Sequence, residues 1–150
     1  MAKPIQSRPD GFHTVNPYLA VKGAAQLLDF LVKAFGAEEV GQRFKSPDGA
    51  IMHAVVRIGD SMVEVSDTPG EPMLAALHLY VQDTDASYRR AIEAGGISLR
   101  EPMTTFYGDR SAAVKDPGGN SWWIACHVED VSPEEMLRRM KTQSKAGHDG

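Results

Sequence analysis

The sequence predicts an α+β fold: two βαβββ modules followed by a C-terminal helix. Three observations predict it. The order strand, helix, three strands occurs twice along the chain. An offset of sixty superposes the halves, placing Val21 on Val81, Leu28 on Tyr88, Ala34 on Ala94 and Gly36 on Gly96. Under the same offset Gly59-x-Ser61 falls on Gly119-x-Ser121. The modules are placed at about 14–67 and 75–128 within one domain of 12–130.

Residues 14–21 (TVNPYLAV) read as the first strand, and Pro17, lacking an N–H, puts it at a sheet edge or makes its start irregular. Gly23 opens a helix whose Leu27, Leu28, Leu31, Val32 and Phe35 form one stripe at 3/4 spacing. Gly36 ends it as a C′ glycine. Strand-like EEVGQRF follows, then the turn Ser46-Pro47-Asp48-Gly49 and a hairpin of AIMHAVVRI and MVEVSD around Gly59-Asp60-Ser61. In the second half, residues 77–81 are a strand and Asp83 caps a helix striped by Tyr88, Ala91 and Ile92. Gly95-Gly96 ends that helix. ISLREP, a loop around Phe106-Tyr107-Gly108, RSAAVKD, the turn Pro117-Gly118-Gly119-Asn120 and SWWIACH complete the module. Ser132-Pro133-Glu134-Glu135 is a capping box that starts a helix over 131–142, with Met136, Leu137 and Met140 on its apolar face. Residues 1–11 and 143–150 lack periodicity and read as flexible tails.

Composition narrows the function. At 150 residues the chain buries enough surface to need no staple, and its single cysteine, Cys126, excludes an intramolecular disulfide framework and a Cys-rich zinc site. Sixteen Lys and Arg against twenty Asp and Glu, with no basic run, argue against a nucleic-acid partner. No apolar run approaches the roughly 18 residues of a membrane span, and the N-terminus has no apolar signal core. The expectation is a cytoplasmic protein that handles a small molecule. No nucleophile elbow, HExxH or dinucleotide fingerprint is present.

The strings NPYLAV, FLVKAFGAEEV, IMHAVVRIGDS, VSD, LYVQDTDA, FYGDR and KDPGGNSWWIA, in this order and spacing, resemble the vicinal oxygen chelate superfamily. That superfamily includes glyoxalase I, extradiol dioxygenases and bleomycin-resistance proteins, and the strings are most similar to its PhnB-like branch. The resemblance implies a cup-shaped half-barrel, often completed in a homodimer. Metal-dependent members place ligands on the first and last strand of each module; matched by strand, those positions fall on Asn16, Glu64, Ala76 and Trp123. Alanine and tryptophan supply no donor, so the expectation is a metal-independent protein. The alternative is a lyase, isomerase or dioxygenase with a divalent metal ion on a rearranged site of Glu64 and His78. Whether the protein is an enzyme is left open.

Alternation puts Met62, Glu64 and Ser66 on one strand face, and the resemblance turns that face toward the cup. There Glu64 is a candidate base or holder of a cationic group, or else a plain solvated glutamate. His78 lies two residues beyond Ala76 on the same strand face, a candidate general base or a hydrogen-bonded wall residue. His53 shares its face with Ile51, Val55 and Arg57. His13 and His127, outside the strands' centres, read as surface residues. Trp122 and Trp123 must point to opposite faces, and the strand match sends Trp123 into the cup. Phe106, Tyr107 and Arg110 form an aromatic and cationic loop beside it, suited to stacking on and neutralising a flat or anionic ligand, although Asp109-Arg110 could equally be a local ion pair.

Overall fold

The computed structural model describes residues 4–148. Module 1 runs β1 (Tyr18–Val21), α1 (Ala24–Phe35), β2 (Glu38–Glu39), β3 (Phe44–Lys45), β4 (Ile51–Ile58) and β5 (Ser61–Asp67). Module 2 runs β6 (Ala76–Tyr80), α2 (Thr84–Glu93), β7 (Ile97–Thr104), β8 (Asp109–Lys115) and β9 (Ser121–His127). Helix α3 (Pro133–His148) follows. Sheet 1 has the order β1-β5-β4-β2, with β3 also on β4; sheet 2 has the order β6-β9-β8-β7. In each, the first strand lies parallel to the last strand of its module and the other pairs are antiparallel.

Local chemistry sets the boundaries. Strand β1 is a sheet edge and begins only after Pro17, whose carbonyl accepts the Glu64 N–H at 3.0 Å. The preceding residues are taken by a turn in which Asn16 Oδ1 accepts the His13 N–H at 2.9 Å and Asn16 Nδ2 donates to the His13 carbonyl at 2.7 Å. The strand expected over 38–44 is broken into β2 and β3 around Gly41, whose φ of 72° lies in the left-handed region. Asp67 anchors module 1 by accepting the N–H groups of Ala24 and Ile51, each at 2.8 Å. Asp83 caps α2, its side chain accepting the Ala86 N–H at 3.0 Å.

Helix α1 is buried on two sides. Leu27, Leu28 and Leu31 are buried as the stripe predicts, but Phe30 and Ala34 are buried too and Val32 is exposed. The added side meets module 2: the Phe35 ring lies 5.0 Å from that of Trp122, and α1 packs on α2. One apolar core therefore draws Leu19, Val56 and Val65 from module 1 and Ala91, Val114, Trp122 and Ile124 from module 2.

The two expected tails need correction. Helix α3 starts as predicted, with Ser132 Oγ accepting the Glu135 N–H at 3.2 Å, but it continues past 142 to His148. Gln143, Lys145 and Ala146 are good helix formers, and a helix already nucleated extends through them at little cost. The Glu135 carboxylate does not close the capping box; it binds Arg138 and Arg139. At the other end, Gly11 sits against the Met62 methyl group and His13 Nε2 reaches the Asp60 carbonyl oxygen at 2.8 Å, so residues 6–14 lie along sheet 1. Residues 1–3 and 149–150, also assigned to tails, lie outside the described residues.

Candidate functional site

Each sheet turns one face to the helices and leaves the other free of them. In sheet 1 the helix side takes Leu19, Val21, Val56, Val63 and Val65. Alternation then puts Tyr18, His53, Val55, Met62, Glu64 and Ser66 on the opposite face. The register opposes Val55 to Glu64, which brings His53 diagonally onto the carboxylate. His53 Nε2 and Glu64 Oε1 are 3.0 Å apart, and Tyr18 donates its hydroxyl to Ser66 Oγ at 2.8 Å. The His53–Glu64 pair floors a cleft of about 980 Å³, whose wall is built by Arg8, Phe12, His13 and Asn16. A half-buried carboxylate with one oxygen held by an imidazole presents its other oxygen as an acceptor for a ligand hydroxyl or amine.

In sheet 2, Leu77, Leu79, Val114, Trp122 and Ile124 face the core. The helix-free face carries His78, Tyr80, Ser111, Ala113, Trp123, Ala125 and His127. Trp122 is 2% exposed and donates Nε1–H to Asp116, whereas Trp123 is half-buried on the open side. His78 stacks near Tyr80 with ring centroids 4.7 Å apart. Within one chain His78 and Glu64 line different cavities, His78 facing one of about 580 Å³ beside Asp60, Tyr80 and Arg90.

The loop after β7 does not act as a unit. Arg110 pairs across the sheet with Cys126, three residues from Trp123, and so lies on the helix side. Its guanidinium forks onto Asp85 of α2 at 2.9 and 3.0 Å, which corrects its expected place beside Trp123. Phe106 likewise departs from that expectation: with Arg139 and Thr142 it lines a cavity of about 280 Å³ under α3, its carbonyl accepting Arg139 Nη1–H at 3.0 Å. Tyr107 crosses the Phe106 ring edge-on at 5.2 Å, and the Tyr80 phenol pKa is raised above its ordinary value chiefly by the Asp109 charge, then by burial and the Asp109 hydrogen bond, and least by Tyr107. Gly108 is required here: with φ 98°, a side chain would run into the Glu129 carbonyl oxygen.

His127, expected as a plain surface residue, bridges two carboxylates. Its Nδ1 lies 2.8 Å from buried Asp109 and its Nε2 lies 2.7 Å from exposed Asp130. Asp109 is reached from 18 residues away through the β8–β9 register, so neither residue's neighbours signal the contact. The hydrogen bonds to Asp130 and then Asp109 raise the His127 pKa above its ordinary 6.5. A raised folded value stabilises the fold fully below about 6.5, and that contribution is lost as pH rises through the folded midpoint. An NMR titration should place the His127 midpoint above that of the same residue in Asp130→Asn. The pH-dependent loss of thermal stability should shrink in that variant.

The donor set does not fit a metal. Asn16 spends its amide on the His13 backbone, Ala76 and Trp123 offer no donor, and Glu64 is held by His53. Among the described residues no three His, Cys, Asp or Glu side chains are grouped to hold an ion.

The family profile of the glyoxalase/bleomycin resistance protein/dioxygenase superfamily matches residues 11–124. The chain belongs to this superfamily. Two uncharacterised mycobacterial proteins, one each from Mycobacterium bovis and Mycobacterium tuberculosis, are 35% identical to it over 144 residues. The match covers 86% of this chain and 93% and 83% of theirs. Among solved structures, TioX from Micromonospora sp. ML1 superposes with a TM-score of 0.62 at 22% identity, over 76% of this chain and 99% of that one. The genomically encoded fosfomycin resistance protein FosX from Listeria monocytogenes gives 0.64 at 16%, over 83% and 97%. At these identities the likeness shows the fold: two βαβββ-type sheets of the superfamily, here followed by a C-terminal helix. Among the described residues no helix is long and apolar enough to cross a membrane.

Proposed function

We propose that this superfamily member is a metal-independent binding protein for a small organic molecule held on the helix-free faces of its sheets. The observation that carries the reading is the cleft of about 980 Å³ with the His53–Glu64 pair on its floor. The pair supplies an acceptor and a ring nitrogen for orientation, while Phe12 in the cleft wall and Tyr18, opposite Glu64 in the register, supply apolar area. On sheet 2, Trp123 and Tyr107 serve the same ligand-binding role, with His78 as a wall residue. The proposal assigns no reaction. Elemental analysis of the purified chain tests the metal-free reading: substoichiometric Zn, Ni, Fe and Mn are expected. One equivalent per chain, lost in Glu64→Ala, would restore the metal-dependent alternative.

The proposal includes a homodimer. Among the described residues no helix covers the sheet face that carries Trp123 and His78, and β1 is an edge strand opened by Pro17, so a second copy encloses the ligand. Sedimentation at micromolar concentration should give twice the 16.3 kDa chain mass, and a monomer would contradict this part.

A further inference from the structure

We propose that the helix-free face of sheet 2 recognises a planar aromatic acid, with its anionic group on Arg100 and its ring against Trp123. The inference rests on the reading that these faces hold a ligand, and it names the ligand's chemistry. The register sets Arg100, Ala113, Trp123 and His78 in one row across β7, β8, β9 and β6. The next row is Met103, Ser111, Ala125 and Tyr80. Ser111, Ala113 and Ala125 are small, so no bulky side chain of these strands stands between the Arg100 and Trp123 positions; all three are buried, so a ring seated there displaces the side chains that close over them. Two strand spacings separate the Arg100 and Trp123 backbones by about 10 Å, room for a bicyclic ring with one acidic substituent once both side chains lean in.

Arg100 is equipped for an anion and has none. It makes no ion pair among the described residues. Its Nη2 donates to Ser111 Oγ at 2.6 Å, and its buried Nε has no hydrogen-bond partner there. A buried guanidinium N–H without an acceptor is unfavourable, and a carboxylate meets a guanidinium through two parallel bonds. No carboxylate in the two rows competes. Asp109 lies two rows from Arg100 and is occupied by His127 and Tyr80, while Lys115, one row beyond Arg100's, adds positive charge. The fork sets the orientation, and the ring's area falls on Trp123.

The test is a ¹H–¹⁵N titration of the full chain with 1-naphthoate and with its neutral analogue 1-naphthamide. Naphthoate should shift the amides of Arg100, Ala113 and Trp123 and the Arg100 Nε–H signal. It should bind at least about tenfold more tightly than the amide. Arg100→Gln should bring that ratio to about one. Arg100→Lys, which keeps the charge without the fork, should retain part of the preference. Equal affinity for acid and amide, no binding of the acid, or an unchanged ratio in a folded Arg100→Gln would overturn the proposal. Naphthamide binding without an acid preference sinks the anion assignment alone. The binding reading falls with it only if, in addition, no small molecule raises the stability of the wild-type chain.

Discussion

Asp116→Ala is expected to lower the unfolding free energy by about 3–5 kcal/mol. Asp116 is 2% exposed and closes the β8–β9 turn from inside. Its Oδ1 accepts the N–H groups of Gly118 at 2.8 Å and Asn120 at 3.0 Å, and its Oδ2 accepts Trp122 Nε1–H at 2.8 Å. Asn120, itself fully buried, then accepts the Ala75 N–H at 2.9 Å and ties the turn to the entry of β6. Removing the carboxylate leaves these three donors short of an acceptor, together with the longer Asn120 Nδ2–H contact at 3.4 Å, each costing roughly 1–3 kcal/mol less whatever water recovers. Asp116→Asn keeps one carbonyl oxygen and should lose less. Urea unfolding of the three proteins measures the order, and a loss under about 1 kcal/mol in the alanine variant would show that the turn is held by something else.

Trp123→Ala is expected to weaken ligand binding about thirtyfold, as losing roughly 2 kcal/mol of stacking would. The side chain is half-buried and lies on the face away from the core, so its removal leaves the Trp122 contacts with Phe35 and Asp116 in place. Trp122→Ala is the opposite case: it vacates the shared core and should cost about 3–5 kcal/mol of stability. The neighbouring tryptophans thus separate binding from folding. A Trp123→Ala protein that binds as tightly as wild type would remove sheet 2 from the site.

Period-two and 3/4 patterns carry most of the fold in this sequence. They put Trp122 and Trp123 on opposite faces and Glu64 with Met62 and Ser66, and the structure places them so. Gly23, Gly36 and Asp83 mark helix ends by chemistry that acts within a few residues, which is why they are readable. What depends on register is not. The His53–Glu64 pair needs Val55 opposite Glu64, and Arg110 meets Asp85 from 25 residues away. Nothing near Arg110 in the chain shows that its charge is already engaged. Phe106 goes under α3 because α3 folds back over the loop, a contact made through Arg139. Arg100 carried no motif; only the row that sets it beside Ala113 and Trp123 brings it to notice.

The most direct measurement is a thermal-shift screen of a small-molecule library against wild type and Trp123→Ala, both in excess EDTA. A ligand that binds only the native state raises its melting temperature with concentration. Compounds that stabilise the wild-type chain in EDTA and stabilise Trp123→Ala far less are expected. Compounds that stabilise both proteins equally, or only when a divalent metal is restored, would contradict this.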